Sequence, residues 1–298
     1  MQPVPALTPG AHVRVVAPAS PFPTDEFERG LARLEARYRV SLGASVRMKD
    51  GYLAGSDEAR AADVLDALDD PSVRAIVAAR GGYGVTRLLD RIPVERVRPT
   101  LLVGFSDLTA LHALFARAGL RSLHASMLTG LGRGSDAELE AWYRVAEGLD
   151  VPGFDGLETI ADGRAEGPVV GGNLALLCAL IGTPFAPPID GAILFLEDVN
   201  EAPYRIDRML TQLGHAGWLG RVRGIAIGEL TRCDAGPDGR EVSHVLRDRL
   251  GALGVPVVSG LAVGHGEVNR PLPLGARARI DASRGRLEYL ESPVTAPS

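Results

Sequence analysis

The chain is expected to fold as an α/β protein whose first half is built on a parallel sheet. Three observations predict this. Over the first 150 residues short apolar runs alternate with stretches of helical period, the pattern of a parallel sheet with helices on both faces. Turns bearing Gly and Ser follow two of those runs, at the carboxyl edge where such sheets carry ligand sites. Beyond residue 150 the texture changes to Gly, Pro and Asp with little periodicity, and 298 residues suffice for two domains or one large one. The expected division is 1–150, a linker over 151–167, and 168–298.

Residues 12–17 read as the first strand, closed by Pro18. Phe27, Leu31 and Leu34 mark a helix, and 38–46 offers a second strand. Ser56-Asp57-Glu58 opens a helix with Val64, Leu65 and Leu68 on one face, stopped by Pro71. Residues 73–79 form the third strand and run directly into Arg80-Gly81-Gly82-Tyr83-Gly84, with a short helix over 86–89. Leu101 to Phe105 is a buried strand, and from Asp107 the residues Leu108, Leu111, Leu114 and Phe115 recur at helical steps until Gly119.

In the second half Asn173 caps a helix whose core face is Leu174, Leu177, Cys178 and Ile181. Residues 192–196 are a strand ending at Glu197-Asp198. Pro203 starts a helix carrying Ile206, Met209, Leu210 and Leu213. Strands follow at 224–230 and 255–258 around a helix at 242–250, and 276–280 with 287–290 close the chain around a turn at Ser283-Arg284-Gly285.

Composition narrows the function classes. A net charge of −5 argues against nucleic acid. Lys49 is the single lysine, so a lone Arg in a motif carries little weight as an anion-binding choice. Cys178 and Cys233 make neither a disulfide framework nor a metal site, and no cofactor or metal is expected. The uncharged run 167–189 is broken by Gly171-Gly172-Asn173, Thr183-Pro184 and Pro187-Pro188, short of the ~20 apolar residues of a span. No signal peptide is visible after Met1. A cytoplasmic protein with no membrane or nucleic-acid partner is expected.

Ser106 stands between a strand and a helix. There its hydroxyl serves either as a nucleophile, with the next N–H beside it for an oxyanion, or as an N-cap. Gly-Phe-Ser-Asp-Leu lacks the second glycine of Gly-x-Ser-x-Gly. The turn Arg80 to Gly84 can aim backbone N–H groups at an anion, or is a tight turn needing glycine; it matches neither dinucleotide nor Walker patterns. A serine nucleophile needs a base and the base an orienting group. Among six histidines, His12, His112, His215 and His244 lie in strands or helices; His265, in a Gly-flanked loop, is favoured, with His124 next. Glu197, closing the run Ile193-Leu194-Phe195-Leu196, is the candidate acid, a structural Arg partner being the other reading.

Together, Arg80-Gly81-Gly82-Tyr83-Gly84, Gly104-Phe105-Ser106-Asp107-Leu108-Thr109, Gly171-Gly172-Asn173-Leu174, Leu196-Glu197-Asp198-Val199, Pro203-Tyr204-Arg205-Ile206-Asp207-Arg208-Met209-Leu210, and Gly264-His265 with Asn269 and Pro273-Leu274-Gly275 occur in fixed order. From about Pro9 to Ile280 the chain resembles the LD-carboxypeptidase family of serine peptidases, which includes the microcin C self-immunity peptidases. The resemblance implies an N-terminal flavodoxin-like parallel-sheet domain and a smaller mixed α+β C-terminal domain. It implies a nucleophile at Ser106, an acid at Glu197, a base at His265, and oxyanion donors at the N–H groups of Gly82 and Asp107. It further implies release of terminal D-alanine from cytoplasmic murein tetrapeptide, or hydrolysis of a peptidyl-nucleotide, by a homodimer. An exopeptidase must also hold the substrate's terminal carboxylate, for which nearby helix N-termini, Arg80 and Arg205 are all candidates. The chain departs from the family's His-Gly-Pro-Met at His124-Ala125-Ser126-Met127. The rival from another class is a non-catalytic binder that holds an anion on Gly81-Gly82.

Overall fold

The computed structural model describes residues 1–151, 153–236 and 239–295. In chain order the elements are β1 (His12–Val16), α1 (Thr24–Glu35), β2 (Arg39–Leu42), α2 (Asp57–Asp69), β3 (Val73–Ala78), β4 (Leu101–Gly104), α3 (Thr109–Arg117), β5 (Ser122–His124), α4 (Leu128–Arg133) and α5 (Asp136–Ala146). They continue with β6 (Gly153–Phe154), β7 (Glu158–Ala161), β8 (Arg164–Asn173), α6 (Leu174–Leu180), β9 (Ile193–Val199), α7 (Pro203–His215), β10 (Gly224–Thr231), α8 (Val242–Leu250), β11 (Val257–Ser259), β12 (Leu272–Leu274), β13 (Arg277–Asp281) and β14 (Arg286–Tyr289).

Two compact units result. The first holds Met1–Val151, Arg270–Gly275 and the described residues 292–295. Its sheet has the order β12-β5-β4-β3-β1-β2. All neighbours in it are parallel except β12, which lies antiparallel on β5 with Leu272 opposite His124. The central strands β3 and β4 are almost wholly apolar, as burial on both faces demands: every residue of β4 is buried, and only Arg74 of β3 is exposed. Ser56 caps α2 by accepting the Ala59 N–H at 3.2 Å, and Ser135 with Glu138 forms a capping box on α5.

The second unit holds the described residues 153–269 and Ala276–Glu291. Its mixed sheet runs β6-β14-β13-β8-β9-β10-β11-β7, with β8, β9, β10 and β11 parallel and the flanks antiparallel.

Several expectations need correction. The stretch 151–167 is not a linker: β6, β7 and the start of β8 lie in it and bond to β14, β11 and β13. Strands of two and four residues carry too little alternation to read, so their turn residues dominate. Residues 270–275, expected in the second half, supply the edge strand of the first sheet. The helix expected over 86–89 is a 3₁₀ segment, Val85–Arg91, and the helix expected from Asp107 begins with a 3₁₀ turn, Ser106–Leu108, before α3. The uncharged run 167–189 divides between β8 and α6, and among the described residues no helix is long and apolar enough to cross a membrane.

Candidate active site

Ser106 follows β4 at the carboxyl edge of the first sheet, and its backbone is left-handed, with φ 63°. A β-carbon makes that conformation costly, by about 1–2 kcal/mol, so the surrounding structure must hold it. Capping does not account for it. The residue preceding α3 is Leu108, and neither α3 nor the 3₁₀ turn before it is closed by a side-chain hydrogen bond. The turn presents a half-buried hydroxyl, as in a nucleophile elbow, without that motif's second glycine.

The glycine turn after β3 passes directly over this serine. A β-carbon placed on Gly81 would lie 3.1 Å from the Ser106 Cβ, 3.2 Å from its Oγ and 3.3 Å from the Met127 Cε. Gly82 has φ 114°, and a β-carbon there would meet the Ser20 Oγ at 2.4 Å. Glycine at 81 therefore keeps a tight approach free of a few tenths of an ångström of displacement, whereas at 82 it answers both conformation and space.

Three side chains hold the turn, two of which had no signal in the sequence. The Ser20 Oγ accepts the Tyr83 N–H at 3.1 Å, and the Ser20 N–H donates to the Gly81 carbonyl at 3.3 Å. Arg60, fully buried on α2, donates to the carbonyls of Pro18, Gly55 and Gly84 and pairs with Asp57. It thus ties together the loops after β1, β2 and β3. The third is Asp107, next to the serine, whose Oδ2 accepts the Val85 N–H at 2.8 Å. Its Oδ1 is buried and unpartnered among the described residues. Burial pushes this carboxyl up to about 6, against the pull of the Val85 N–H and the Arg60 charge.

The other histidines of this unit are structural. The His112 Nε2 bonds the Gly104 carbonyl and its Nδ1 the Ser122 hydroxyl, each at 2.8 Å, and burial pushes it down to about 4. Neutral His112 therefore donates from Nε2 and accepts at Nδ1. His12 lies between the Ser72 and Ser41 hydroxyls. His124, next in line as a base, is fully buried in β5, with its ring 5.5 Å from that of Phe105.

In the second unit Glu197, on β9, is completely buried, and its Oε2 lies 2.7 Å from the Nδ1 of His265. Its Oε1 has no partner among the described residues. The structural-arginine reading of Glu197 is not what is found; its partner is the imidazole. Gly264 makes room for the pair: at φ 132°, a β-carbon there would stand 2.9 Å from the Glu197 Oε2. The loop is closed by buried Asn269, whose Oδ1 accepts the Gly264 N–H at 3.0 Å. Glu229, which sequence reasoning missed, packs beside the same loop; a β-carbon on Gly266 would lie 3.0 Å from its Cγ.

Adjacent residues of a strand point to opposite faces, so Asp198 has different work from Glu197. It accepts the Asn173 Nδ2 at 3.0 Å, the Ala175 N–H at 3.0 Å and the Val199 N–H at 2.8 Å, and burial pushes it up to about 6. Asn173 in turn caps α6 by accepting the Leu176 N–H at 3.1 Å. The Gly-Gly-Asn and Glu-Asp motifs are thus one structure, with Asn173 opposite Glu197 in register. Arg205 on α7 is exposed and reaches Tyr204 and Glu201, whereas Arg80 donates to the Pro21 carbonyl at 2.7 Å. Among the described residues no His, Cys, Asp and Glu cluster has the makings of a metal site.

The first unit thus holds a strained serine at a parallel-sheet edge, and the second a buried carboxylate–imidazole pair. Comparison with known proteins gives the class. Residues 13–125 match the model of the LD-carboxypeptidase N-terminal domain and residues 166–280 that of the LD-carboxypeptidase C-terminal domain. A relative from Streptomyces coelicolor is 43% identical, with 94% of each chain covered. The murein tetrapeptide carboxypeptidase of Pseudomonas aeruginosa is 35% identical over 92% of this chain and 94% of its own. The structure of the microcin C7 self-immunity protein MccF with aspartyl sulfamoyl adenosine superposes with a TM-score of 0.90 at 22% identity, covering 99% of this chain and all of that one. The chain belongs to the LD-carboxypeptidase family, and its class is that of the peptide-bond hydrolases.

Proposed function

We propose that the protein is a serine carboxypeptidase that releases the terminal D-alanine of a murein tetrapeptide by cleaving an L,D peptide bond. The observation that carries this reading is the left-handed, non-capping Ser106 under the Gly81-Gly82 turn. His265 removes the Ser106 proton as Oγ attacks the carbonyl carbon, and Glu197 holds the imidazole in the Nδ1–H tautomer and stabilises its cation. The N–H groups of Gly82 and Asp107 receive the oxyanion, where loss of one donor costs on the order of 10²–10³ in kcat. The C–N bond then breaks, with the Nε2 proton of His265 passing to the leaving amine. Water, deprotonated by the same imidazole, frees the acyl group and restores the serine. Arg205 or Arg80 binds the terminal carboxylate.

The 35% identity to a murein tetrapeptide carboxypeptidase supports this substrate over a peptidyl-nucleotide, because the likeness to MccF at 22% identity speaks for the fold alone. Recycling of wall peptides in the cytoplasm by a homodimer goes with this reading, on the family resemblance. Incubation of the purified protein with murein tetrapeptide and with a peptidyl-nucleotide tests it. Free D-alanine from the first, absent with Ser106→Ala, is the expected result. Undiminished release by a folded Ser106→Ala protein removes the serine from its role, and turnover of only the nucleotide conjugate overturns the substrate.

A further inference from the structure

A cavity of about 470 Å³ in the first unit shares only Arg80, one of the two candidates for the terminal carboxylate, with these steps. It is formed by the loop entering α1, the segment after β2, and Arg80 after β3. It therefore opens at the carboxyl ends of strands, where α/β sheets bind ligands. Arg80 is covalently next to the Gly81-Gly82 turn, so the cavity borders the element assigned to the oxyanion.

Its wall is apolar and its rim cationic. Phe22, stacked on Phe27 with centroids 4.2 Å apart, and buried Val46 line it, and Met48 is 49% exposed at its edge. Of the three cations, Arg47 is answered by Glu28 at 2.6 Å. Lys49 and Arg80 meet no acidic side chain among the described residues. In a chain of net charge −5, the cavity thus brings two cations without an acidic partner to one apolar wall. Such a surface suits a carboxylate carried on an apolar stem.

We infer that this cavity binds a side-chain carboxylate of the peptide substrate, on the acyl side and remote from the scissile bond, through Lys49 and Arg80. The inference rests on the peptidase reading and deepens it, leaving Arg205 for the terminal carboxylate. Binding to a site next to the oxyanion turn would fix the register of the peptide over Ser106.

Affinity measured by calorimetry on the Ser106→Ala protein tests it without requiring turnover. The probes are a murein tetrapeptide chosen to have free carboxylates on its second and third residues, and the same peptide with those two groups amidated. Lys49→Ala and Arg80→Ala should each weaken binding of the first peptide about three- to tenfold, the range for a partly exposed charged contact. Binding of the amidated peptide should be unaffected by either substitution. Unchanged affinity in both variants, equal losses for both peptides, or no binding of the tetrapeptide at all would overturn the inference. Turnover by the wild-type chain reports separately on the peptidase reading: release of D-alanine with affinity indifferent to Lys49 sinks the cavity alone, and Lys49-dependent binding without release sinks the reaction alone.

Discussion

At residue scale, the cost of function is concentrated at Ser106. If its left-handed turn is maintained for chemistry, glycine there relieves strain that alanine keeps. Ser106→Gly should be more stable than Ser106→Ala by about 1 kcal/mol, read as a higher melting temperature, with both variants inactive. Equal melting would mean the φ of 63° costs nothing. Glu197→Gln keeps the shape of the pair but not its charge or its preference for the Nδ1–H tautomer. It should lower kcat about 10²–10⁴-fold with the fold intact, whereas full activity would release Glu197 from its role.

Asp107 makes a prediction about pH. Its folded carboxyl is raised from 3.8 to about 6 by burial, so the native state binds its proton more tightly than the unfolded chain does. The contribution to stability is fully present below pH 4 and is lost as pH rises through about 6. Asp107→Asn, which can still accept the Val85 N–H, should therefore gain on the wild type between pH 4 and pH 7, on the order of 1–3 kcal/mol. Parallel melting curves across that range would contradict this. The three residues proposed for catalysis could be singled out in the sequence because each closes an apolar run or lies in a Gly-flanked loop. Ser20 and Arg60 were not, because their partners are backbone atoms of loops far away in sequence, which side-chain patterns do not record.

At the scale of elements, two glycine positions separate architecture from chemistry. A β-carbon on Gly171 would come 1.9 Å from the Phe195 carbonyl oxygen, with φ at 149°. Gly171→Ala should break the β8–β9 pairing and leave little folded protein by circular dichroism; a native melting temperature would refute that. Gly81→Ala meets only side-chain atoms at 3.1–3.3 Å. It should fold, yet react more slowly with a fluorophosphonate than the wild type. The sequence marked both positions as special without saying which served packing. The short strands β6 and β7 were hidden by their turns, and β12, three residues around Pro273, reads as loop because its pairing with β5 is set by the chain's return.

At the scale of the molecule, the two units share the chain unevenly. The first is completed by segments from the far end: β12 on β5, the Thr295 N–H on the Val4 carbonyl at 2.8 Å, and Arg121 on the Ser292 carbonyl at 2.6 Å. A fragment ending at residue 151 would thus leave the β5 edge open. Light scattering should find it associated, as unpaired edges tend to be; a stable monomer would show that β12 is dispensable. The same division separates the proposed nucleophile in one unit from the proposed base and acid in the other. The central claim is accordingly that Ser106 reacts because His265 activates it. Intact-mass and peptide mapping after fluorophosphonate treatment of wild-type and His265→Ala proteins tests it most directly. A single adduct on Ser106 that forms at least a hundredfold more slowly without the imidazole is the predicted result, taking general-base catalysis as worth about 10²–10⁴. An adduct on another residue, or one on Ser106 at the same rate in both proteins, would contradict it.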